Sequence, residues 1–573
     1  MPDRSRCRPS SSGFARTVSA ALLIALPLGC GGVGSNGGTG GGGSAGGVGS
    51  AGTTGGAAPG HGGAAGTAAG VGGGSGGAGT SGAGNAGGGA SGTGGGAGAA
   101  GTGGGGDSGT GGGAAGNAGT TGGAQGAGGA QGAGGAGGRG GSSGGGGSAG
   151  TGGAPAPLWD WVGVIGTGQS LAVGGHGNAP AMPIGATTQR FHNLKLSLGN
   201  ASVPPFDPAN TMLSMVPLVE TIRSIATGYP SPYPRNIYGE SFHTAMADEL
   251  STLVMAAQSR DYITVHTVVG EAGQAIGVLQ KGAQDTGSVG RAYAASLFEV
   301  AAIARLAKAQ GKSYGVGAIV LTHGESDTAS ATFEADMVKL WQSYNQDLPG
   351  LTGQAAGTPI PMLLSQQHSE PTGAGTSSTG TLAQWRIGLD HPGDITCTGP
   401  KYQYAYVSDN IHLTNPEYER LGEKYAEVMV RRVVLGEAWQ PLQPTTVERS
   451  AARVITVHLH VPSPPLAWDT TLPMPHQSAF TEWAQGRGFE VRNGTTRIAI
   501  SSVAIAGDTV QITTTTDLPA AGLVVGYAST ADGTIRPNGT VRWGQLHDTD
   551  PFVGSLTRAV QANYCVAFEM NVP

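Results

Sequence analysis

A glycine-rich tract near the amino end constrains this chain more than any other feature. Of the 109 glycines in 573 residues, 66 lie in the 123 residues from Gly31 to Gly153. The tract carries only Asp107 and Arg139 as full charges and almost no large apolar side chain. It cannot bury enough surface to offset the entropy of ordering its backbone, and its glycines lack the three-residue period of collagen. We predict a disordered linker over residues 31–153.

The first thirty residues have the layout of an export signal. Arginines at positions 4, 6, 8 and 16 precede the apolar run Ala20–Leu26, which is too short to span a bilayer. The run ends in Leu26-Pro27-Leu28-Gly29-Cys30, which resembles the lipobox of bacterial lipoproteins. That resemblance implies lipidation of Cys30 and an extracytoplasmic protein anchored to the cell envelope, with the outer membrane favoured by Gly31. An incidental thiol at an ordinary cleavage site, and hence a secreted protein, remains the alternative.

The remaining chain is long enough for two or three domains with cores of their own. It has 573 − 153 = 420 residues, of which 25 are basic and 34 acidic, a net charge of −9. Because no run of lysine and arginine occurs, we expect no binding to nucleic acid.

Two cysteines remain after the signal and the linker. Cys397 and Cys565 are the only pair available for a disulfide in an oxidising compartment. Two buried thiols are an equal alternative, because the sequence does not show whether the two Cα atoms approach each other.

The pattern from Trp159 to Leu435 predicts an α/β sheet, because short apolar runs alternate with amphipathic stretches. Residues 176–235 are rich in Pro, Gly and Asn, and this composition predicts long loops. After Gly436, period-two runs and a Gly507-Asp508 turn predict a β domain. Its role is either a structural appendage, which we favour, or a carbohydrate-binding module. The predicted strands are Trp161–Gly166, Tyr262–Val269, Val316–Leu321 and Ile360–Ser365, and the predicted helices are Phe242–Ala257, Arg291–Ala309, Ala335–Tyr344 and Pro416–Val434.

Two motifs suggest nucleophilic catalysis. The first strand runs into Gly168-Gln169-Ser170, which places a serine just past the carboxyl end of a strand, where open α/β sheets bind ligands. Asp409 lies three residues before His412, just ahead of the last helix of the α/β region. A carboxylate at that spacing can hold an imidazole in one tautomer while the other nitrogen accepts a serine proton.

Two further motifs follow predicted strands. One contains His323, Gly324 and Glu325, and the other contains Gly273, whose loop can turn backbone N–H groups toward a developing oxyanion. Each alone is ordinary loop chemistry, but all four motifs should meet at one edge of the sheet.

These motifs resemble those of the SGNH (GDSL-like) hydrolase superfamily, and within it the sialate O-acetylesterase-like carbohydrate esterases. The matching residues are Gly168-Gln169-Ser170 and His323-Gly324-Glu325-Ser326, against Gly-Gln-Ser and Gln-Gly-Glu-Ser in the family. The resemblance covers roughly Trp159 to Leu435. It implies a three-layer, flavodoxin-like parallel sheet in which Ser170 is the nucleophile, His412 the base and Asp409 its partner.

The resemblance also implies an oxyanion hole, formed by Ser170, Gly273 and His323. Position 323 departs from the family's glutamine, although an imidazole N–H can donate a hydrogen bond. Gly239 is an alternative to Gly273 as the glycine that donates its N–H to the oxyanion hole. Gln169 and Glu325 are candidates for supporting the site.

The sequence thus predicts four segments and one function. The segments are a signal peptide (1–30), a linker (31–153), an SGNH-like catalytic domain (154–438) and a β-sandwich accessory domain (439–573). The function is hydrolysis of small acyl esters, most simply O-acetyl groups on carbohydrate, with no metal and no cofactor. The only expected membrane contact is the lipid anchor. The alternative is a non-catalytic surface protein that binds carbohydrate or mediates adhesion on the same scaffold.

Overall fold

The computed structural model describes residues 159–175, 188–197, 206–222, 240–287 and 289–573. The predicted signal peptide, Cys30 and the predicted linker lie outside these residues, as does Gly239. All described residues belong to one compact unit of the chain. Within them, no helix is both long and apolar enough to cross a bilayer.

A seven-stranded sheet forms the centre of the α/β region. Its strands lie in the order β3-β2-β4-β1-β5-β6-β7, and every neighbouring pair is parallel except β2 and β3. The strands are β1 (Trp161–Gly168), β2 (Leu194–Ser197), β3 (Ser214–Pro217), β4 (Thr264–Gly270), β5 (Tyr314–Thr322), β6 (Met362–Gln366) and β7 (Ile395–Pro400).

Helices cover both faces of this sheet, because its central strands are apolar on both faces. In β5, Ala318 and Val320 pack in one cluster, whereas Ile319 and Leu321 pack in another on the opposite face. Helices α1 (His243–Gln258) and α5 (Asn415–Met429), with a π-helical turn at Val430–Val434, contribute to the first cluster. The opposite cluster receives α2 (Ala292–Ala309), α3 (Phe333–Thr352) and α4 (Thr379–Asp390).

The carboxyl-terminal region forms separate antiparallel sheets with orders β10-β16, β12-β11-β15-β17 and β13-β14-β9-β8. Gly507 and Asp508 form the predicted turn between β13 and β14. The strands are β8 (Gln443–Ala451), β9 (Val454–His460), β10 (Leu466–Trp468), β11 (Phe489–Asn493), β12 (Thr496–Arg497), β13 (Ile500–Ala506), β14 (Thr509–Thr514), β15 (Leu523–Tyr527), β16 (Leu546–Asp548) and β17 (Phe568–Asn571).

One hydrophobic cluster includes residues of both regions. The Trp385 and Phe568 rings lie 6.0 Å apart between centroids. The Gln366 side chain accepts a hydrogen bond from the Ala567 backbone N–H at 2.8 Å and donates one to the Ala567 carbonyl at 3.0 Å. The two regions therefore share an interior, and a domain boundary at 438/439 stays a prediction.

The strand and helix predictions in the α/β region are confirmed where the apolar pattern is strong, namely for β1, β4, β5, β6, α1, α2, α3 and α5. The prediction of loops over residues 176–235 is wrong at β2 and β3, which are four-residue strands at the sheet edge. Their side chains are mostly half-buried or exposed, so they lack the continuous apolar run of a central strand.

Candidate active site

Ser170 lies at the carboxyl end of β1, beside β5. The Gln169 backbone N–H donates to the Thr322 carbonyl at 3.2 Å, and Ser170 starts a single 3-10 turn. Gly168 has φ +140°, and a Cβ there would lie 2.0 Å from the Thr322 carbonyl oxygen. Only glycine allows β1 and β5 to approach this closely at this point. Ser170, two residues later, therefore lies at the edge of the sheet.

Strand order explains why this edge can bind a ligand. From β1 the chain proceeds to β2, β3 and β4 on one side, whereas β5 is followed by β6 and β7 on the other. The strand order therefore reverses between β1 and β5, and ligands of open α/β sheets bind at the carboxyl ends of strands at such a point.

A tight loop carries Asp409 and His412. The Val407 N–H donates to the His412 carbonyl at 2.9 Å, and the Thr414 N–H donates to the Ala405 carbonyl at 3.1 Å. Asn410 adopts a left-handed conformation with φ 58°, which asparagine tolerates better than most residues. These bonds close the loop on itself and fix the direction of its two functional side chains.

The structure brings Ser170, His412 and Asp409 together in one hydrogen-bond chain. Ser170 Oγ lies 2.6 Å from His412 Nε2, and His412 Nδ1 lies 2.7 Å from Asp409 Oδ2. Because an ionised carboxylate only accepts, Nδ1 carries the proton and Nε2 has the lone pair that accepts from the serine hydroxyl. This is the arrangement in which an imidazole can take a proton from serine.

The environment keeps Asp409 ionised. Burial alone would raise the pKa of this carboxyl, but hydrogen bonds from the His412 side chain and from the backbone N–H groups of His412 and Ile411 outweigh it. Together they lower the pKa of Asp409 to about 2. Ser170 and His412 are 8% and 9% exposed, so little water competes for their hydrogen bond.

Gly273 lies in the turn that follows β4, the strand beside β1. The Glu271 N–H donates to the Gly168 carbonyl at 2.9 Å, which ties this turn to the residues before Ser170. Gly273 is exposed and left-handed, with φ 68°. Among the described residues, neither the Ser170 N–H nor the Gly273 N–H has a protein acceptor. A role for both N–H groups in an oxyanion hole stays a prediction.

His323 lies at the end of β5, and its imidazole faces the Gly273 turn. Its Nε2 is 3.0 Å from the Gln274 carbonyl oxygen, and its Nδ1 is 3.5 Å from Asp327 Oδ2. The side chain is completely buried. The structure therefore gives His323 a backbone partner in the neighbouring loop, and its part in the oxyanion hole stays a prediction.

The two residues predicted to support the site are both buried. Glu325 Oε1 accepts from Lys401 Nζ at 2.8 Å in an ion pair that is almost fully enclosed. Within the described part of the chain, Glu325 Oε2 and Gln169 Oε1 have no hydrogen-bond partner. The sequence offered no signal for Lys401, because it follows β7, a strand that we did not predict.

Sequence reasoning also missed what Glu271 does. Its carboxylate accepts hydrogen bonds from the backbone N–H groups of Gly290, Arg291 and Ala292, at 2.8 to 3.0 Å. These are the donors that the start of α2 leaves unpaired. A glutamate directly after an apolar strand was the available signal.

Cys397 and Cys565 are not joined in the structure. Both are free and buried, which corresponds to the second of the two alternatives for these residues. Burial raises the pKa of the Cys397 thiol to about 12 and that of Cys565 well above its usual value.

Comparison with known proteins gives structural likenesses only. No protein-family model matches the chain, and no curated protein matches it. A carbohydrate acetylesterase from Xanthomonas citri is similar over 71% of this chain and 80% of its own, with 12% identity and a TM-score of 0.44.

Two smaller esterases are also similar. A carbohydrate acetylesterase from Sinorhizobium meliloti covers 47% of this chain and 98% of its own, with 14% identity and a TM-score of 0.25. An aryl esterase from M. smegmatis covers 48% and 100%, with 12% identity and a TM-score of 0.25.

Proposed function

We propose that this chain is a serine esterase that hydrolyses small acyl esters, with Ser170 as nucleophile, His412 as general base and Asp409 as its orienting partner. The observation that carries the proposal is the unbroken hydrogen-bond chain from Ser170 Oγ through His412 to Asp409 Oδ2, at 2.6 and 2.7 Å. The Asp409 carboxylate accepts from Nδ1 and Nε2 faces the serine hydroxyl, which is the orientation that a general base requires.

The reaction proceeds in two halves. Ser170 Oγ attacks the ester carbonyl as its proton moves to His412 Nε2, and the imidazolium then protonates the departing alcohol oxygen. Water attacks the acyl-serine with the same base, so that the acid is released and Ser170 regains its proton. Asp409 stays ionised throughout and stabilises the imidazolium.

Two backbone donors stabilise the negative charge that develops on the carbonyl oxygen. The N–H groups of Ser170 and Gly273 have no protein acceptor among the described residues, and the β1–β4 pairing brings their loops together. Donors that are positioned before the reaction need no reorganisation during it.

The substrate class comes from sequence resemblance. The Gly168-Gln169-Ser170 and Gly324-Glu325-Ser326 motifs resemble those of SGNH carbohydrate esterases, and this favours acetyl groups on sugar hydroxyls as substrate. The same resemblance assigns the α/β region to a catalytic domain, and the period-two pattern after Gly436 assigns the carboxyl-terminal sheets to a β-sandwich accessory domain.

The test is hydrolysis of p-nitrophenyl acetate and of an acetylated oligosaccharide by the full chain. Ser170→Ala and His412→Ala should each lower kcat by at least roughly 10³-fold, because the two residues act as a unit. Matched controls are Ser501→Ala and His458→Ala, two positions on the carboxyl-terminal sheets, which should leave kcat unchanged.

A second readout does not require the correct substrate. A fluorophosphonate should label Ser170 in the wild-type chain and fail to label the His412→Ala variant, as judged by mass spectrometry. A folded chain with neither turnover nor labelling would contradict the esterase proposal and favour a non-catalytic carbohydrate-binding surface protein.

We also propose that Cys30 is lipidated and anchors the chain to the bacterial envelope, on the resemblance of Leu26–Cys30 to a lipobox. A Cys30→Ser chain should then leave the membrane fraction. Retention of that variant in the membrane would contradict the anchor.

A further inference from the structure

A backbone carbonyl engages one nitrogen of the His323 imidazole. Nε2 lies 3.0 Å from the Gln274 carbonyl oxygen. Because a carbonyl oxygen only accepts, Nε2 carries the proton in this contact.

The second ring nitrogen faces a carboxylate. Nδ1 lies 3.5 Å from Asp327 Oδ2 and makes no hydrogen bond in the described part of the chain. Burial lowers the pKa of His323, against the nearby charges of Asp327 and Glu325, which raise it. The side chain is completely buried and both ring nitrogens face groups of the protein, so the geometry gives His323 no free donor for a substrate oxygen.

The contact with Gln274 is one of several anchors of the loop that carries Gly273. Before Gly273, the Glu271 N–H donates to the Gly168 carbonyl at 2.9 Å. After it, the Ile276 N–H donates to Asp327 Oδ2 at 2.8 Å. His323 holds the carbonyl of Gln274, the residue directly after Gly273.

We propose that His323 is a positioning residue, which fixes the Glu271–Ile276 loop so that the Gly273 N–H points at the reacting carbonyl oxygen. This inference rests on the proposed esterase function. The oxyanion hole then consists of two backbone donors, and the side chain at position 323 acts through the loop. The geometry thus differs from the direct donation that the sequence resemblance implied.

Two substitutions separate positioning from direct donation. The amide nitrogen of glutamine reaches about as far as Nε2 of histidine, whereas that of asparagine stops near Nδ1. His323→Gln should therefore keep the bond to Gln274 and stay within a few-fold of wild-type kcat. His323→Asn should lose the bond and lower kcat roughly 10- to 100-fold with little change in KM, since a misplaced donor acts mainly in the transition state. His458→Asn, on β9, is the matched control.

Hydrogen–deuterium exchange of the full chain supplies a readout that does not depend on turnover. Peptides covering residues 271–279 should exchange faster in His323→Asn than in wild type, while His323→Gln should match wild type. The proposal predicts that loss of protection and loss of kcat occur in the same variant.

Three results would overturn the proposal. A fall of kcat in His323→Asn without faster exchange would mean that the ring acts directly on the substrate. Faster exchange with unchanged kcat would mean that the anchor has no catalytic effect, and no change in either would mean that the contact is dispensable. If the wild-type chain has no esterase activity, the proposed function fails, and unchanged exchange in His323→Asn would still refute the anchor.

Discussion

Asp409 uses its two carboxylate oxygens for different purposes. Oδ1 accepts from the backbone N–H groups of Ile411 and His412, both at 2.9 Å, and Oδ2 accepts from the His412 ring. One side chain therefore shapes the loop and selects the imidazole tautomer. An amide in its place could keep the first role but not the second, because its NH₂ group would face Nδ1 as a donor.

This division gives a prediction for Asp409→Asn. We expect kcat to fall by roughly 10³- to 10⁴-fold. The imidazole proton then resides on Nε2, so this nitrogen can no longer accept a proton from Ser170. Kinetics on p-nitrophenyl acetate measure the loss, and circular dichroism should show an unchanged fold. Asp517→Asn, on an exposed ion pair with Arg453, is the control. Near-wild-type kcat in Asp409→Asn would refute the assigned role.

The ionised Asp409 carboxylate should also make the stability of the fold depend on pH. Its pKa in the folded chain is about 2, below the value of about 3.9 expected in the unfolded chain. A depressed pKa stabilises the fold above the unfolded value, and the contribution is lost as pH falls toward the folded value. The Tm difference between wild type and Asp409→Asn should therefore shrink as pH falls from about 4 to about 2. A difference that is constant over this range would argue against the depressed pKa.

Among the elements, the sequence predicted those whose local pattern is sufficient. β1, β4 and β5 are buried along their whole length and read as continuous apolar runs. α4 was not predicted because it buries polar side chains such as Thr381 and Gln384, which form hydrogen bonds with Gln367.

The sequence predicted those site residues whose neighbours form short motifs, namely Ser170, Asp409 and His412. Lys401 was not predicted, because its partner Glu325 lies 76 residues away.

One element of the carboxyl-terminal region supports the loop that carries His412. Arg536 donates from one guanidinium nitrogen to the Tyr402 and Tyr404 carbonyls, at 2.8 and 2.9 Å. The Tyr406 N–H donates to the Asn538 carbonyl at 2.9 Å. The base of the loop thus packs against this segment of the carboxyl-terminal region.

We therefore predict that Arg536→Lys lowers kcat by roughly 10-fold with little effect on KM, since the shorter lysine side chain places its ammonium short of the two carbonyls that one guanidinium nitrogen reaches. Arg497→Lys, at an exposed ion pair with Glu482, should change neither constant. Steady-state kinetics and thermal unfolding distinguish the roles. A lower Tm with intact kcat in Arg536→Lys would mean that this segment contributes to stability alone.

At the scale of the whole molecule, the α/β region and the carboxyl-terminal sheets share their interior. Tyr402 donates to the Cys565 carbonyl at 2.7 Å, and Gln366 is bonded to both polar groups of the Ala567 backbone. Removal of the sheets would leave these groups and the Trp385 ring without their partners. Uncovered apolar surface and unpaired polar groups both oppose folding.

Truncation after residue 438 should therefore yield a chain that aggregates or binds the dye ANS. In contrast, deletion of residues 31–153 should leave Tm unchanged, because their composition cannot support a core. Size-exclusion chromatography and thermal unfolding of both deletions give the comparison. A monomeric, cooperatively unfolding chain that ends at residue 438 would show that the α/β region folds alone.

The Glu271 carboxylate has a consequence for how the site can be observed. It begins the Gly273 loop and also accepts from the first N–H groups of α2, so the two are mechanically linked. A displacement of the loop when Ser170 becomes acylated would be transmitted to those amides. The amide resonances of Gly290 and Ala292 would then report on events at Ser170, some twenty residues along the chain from Gly273.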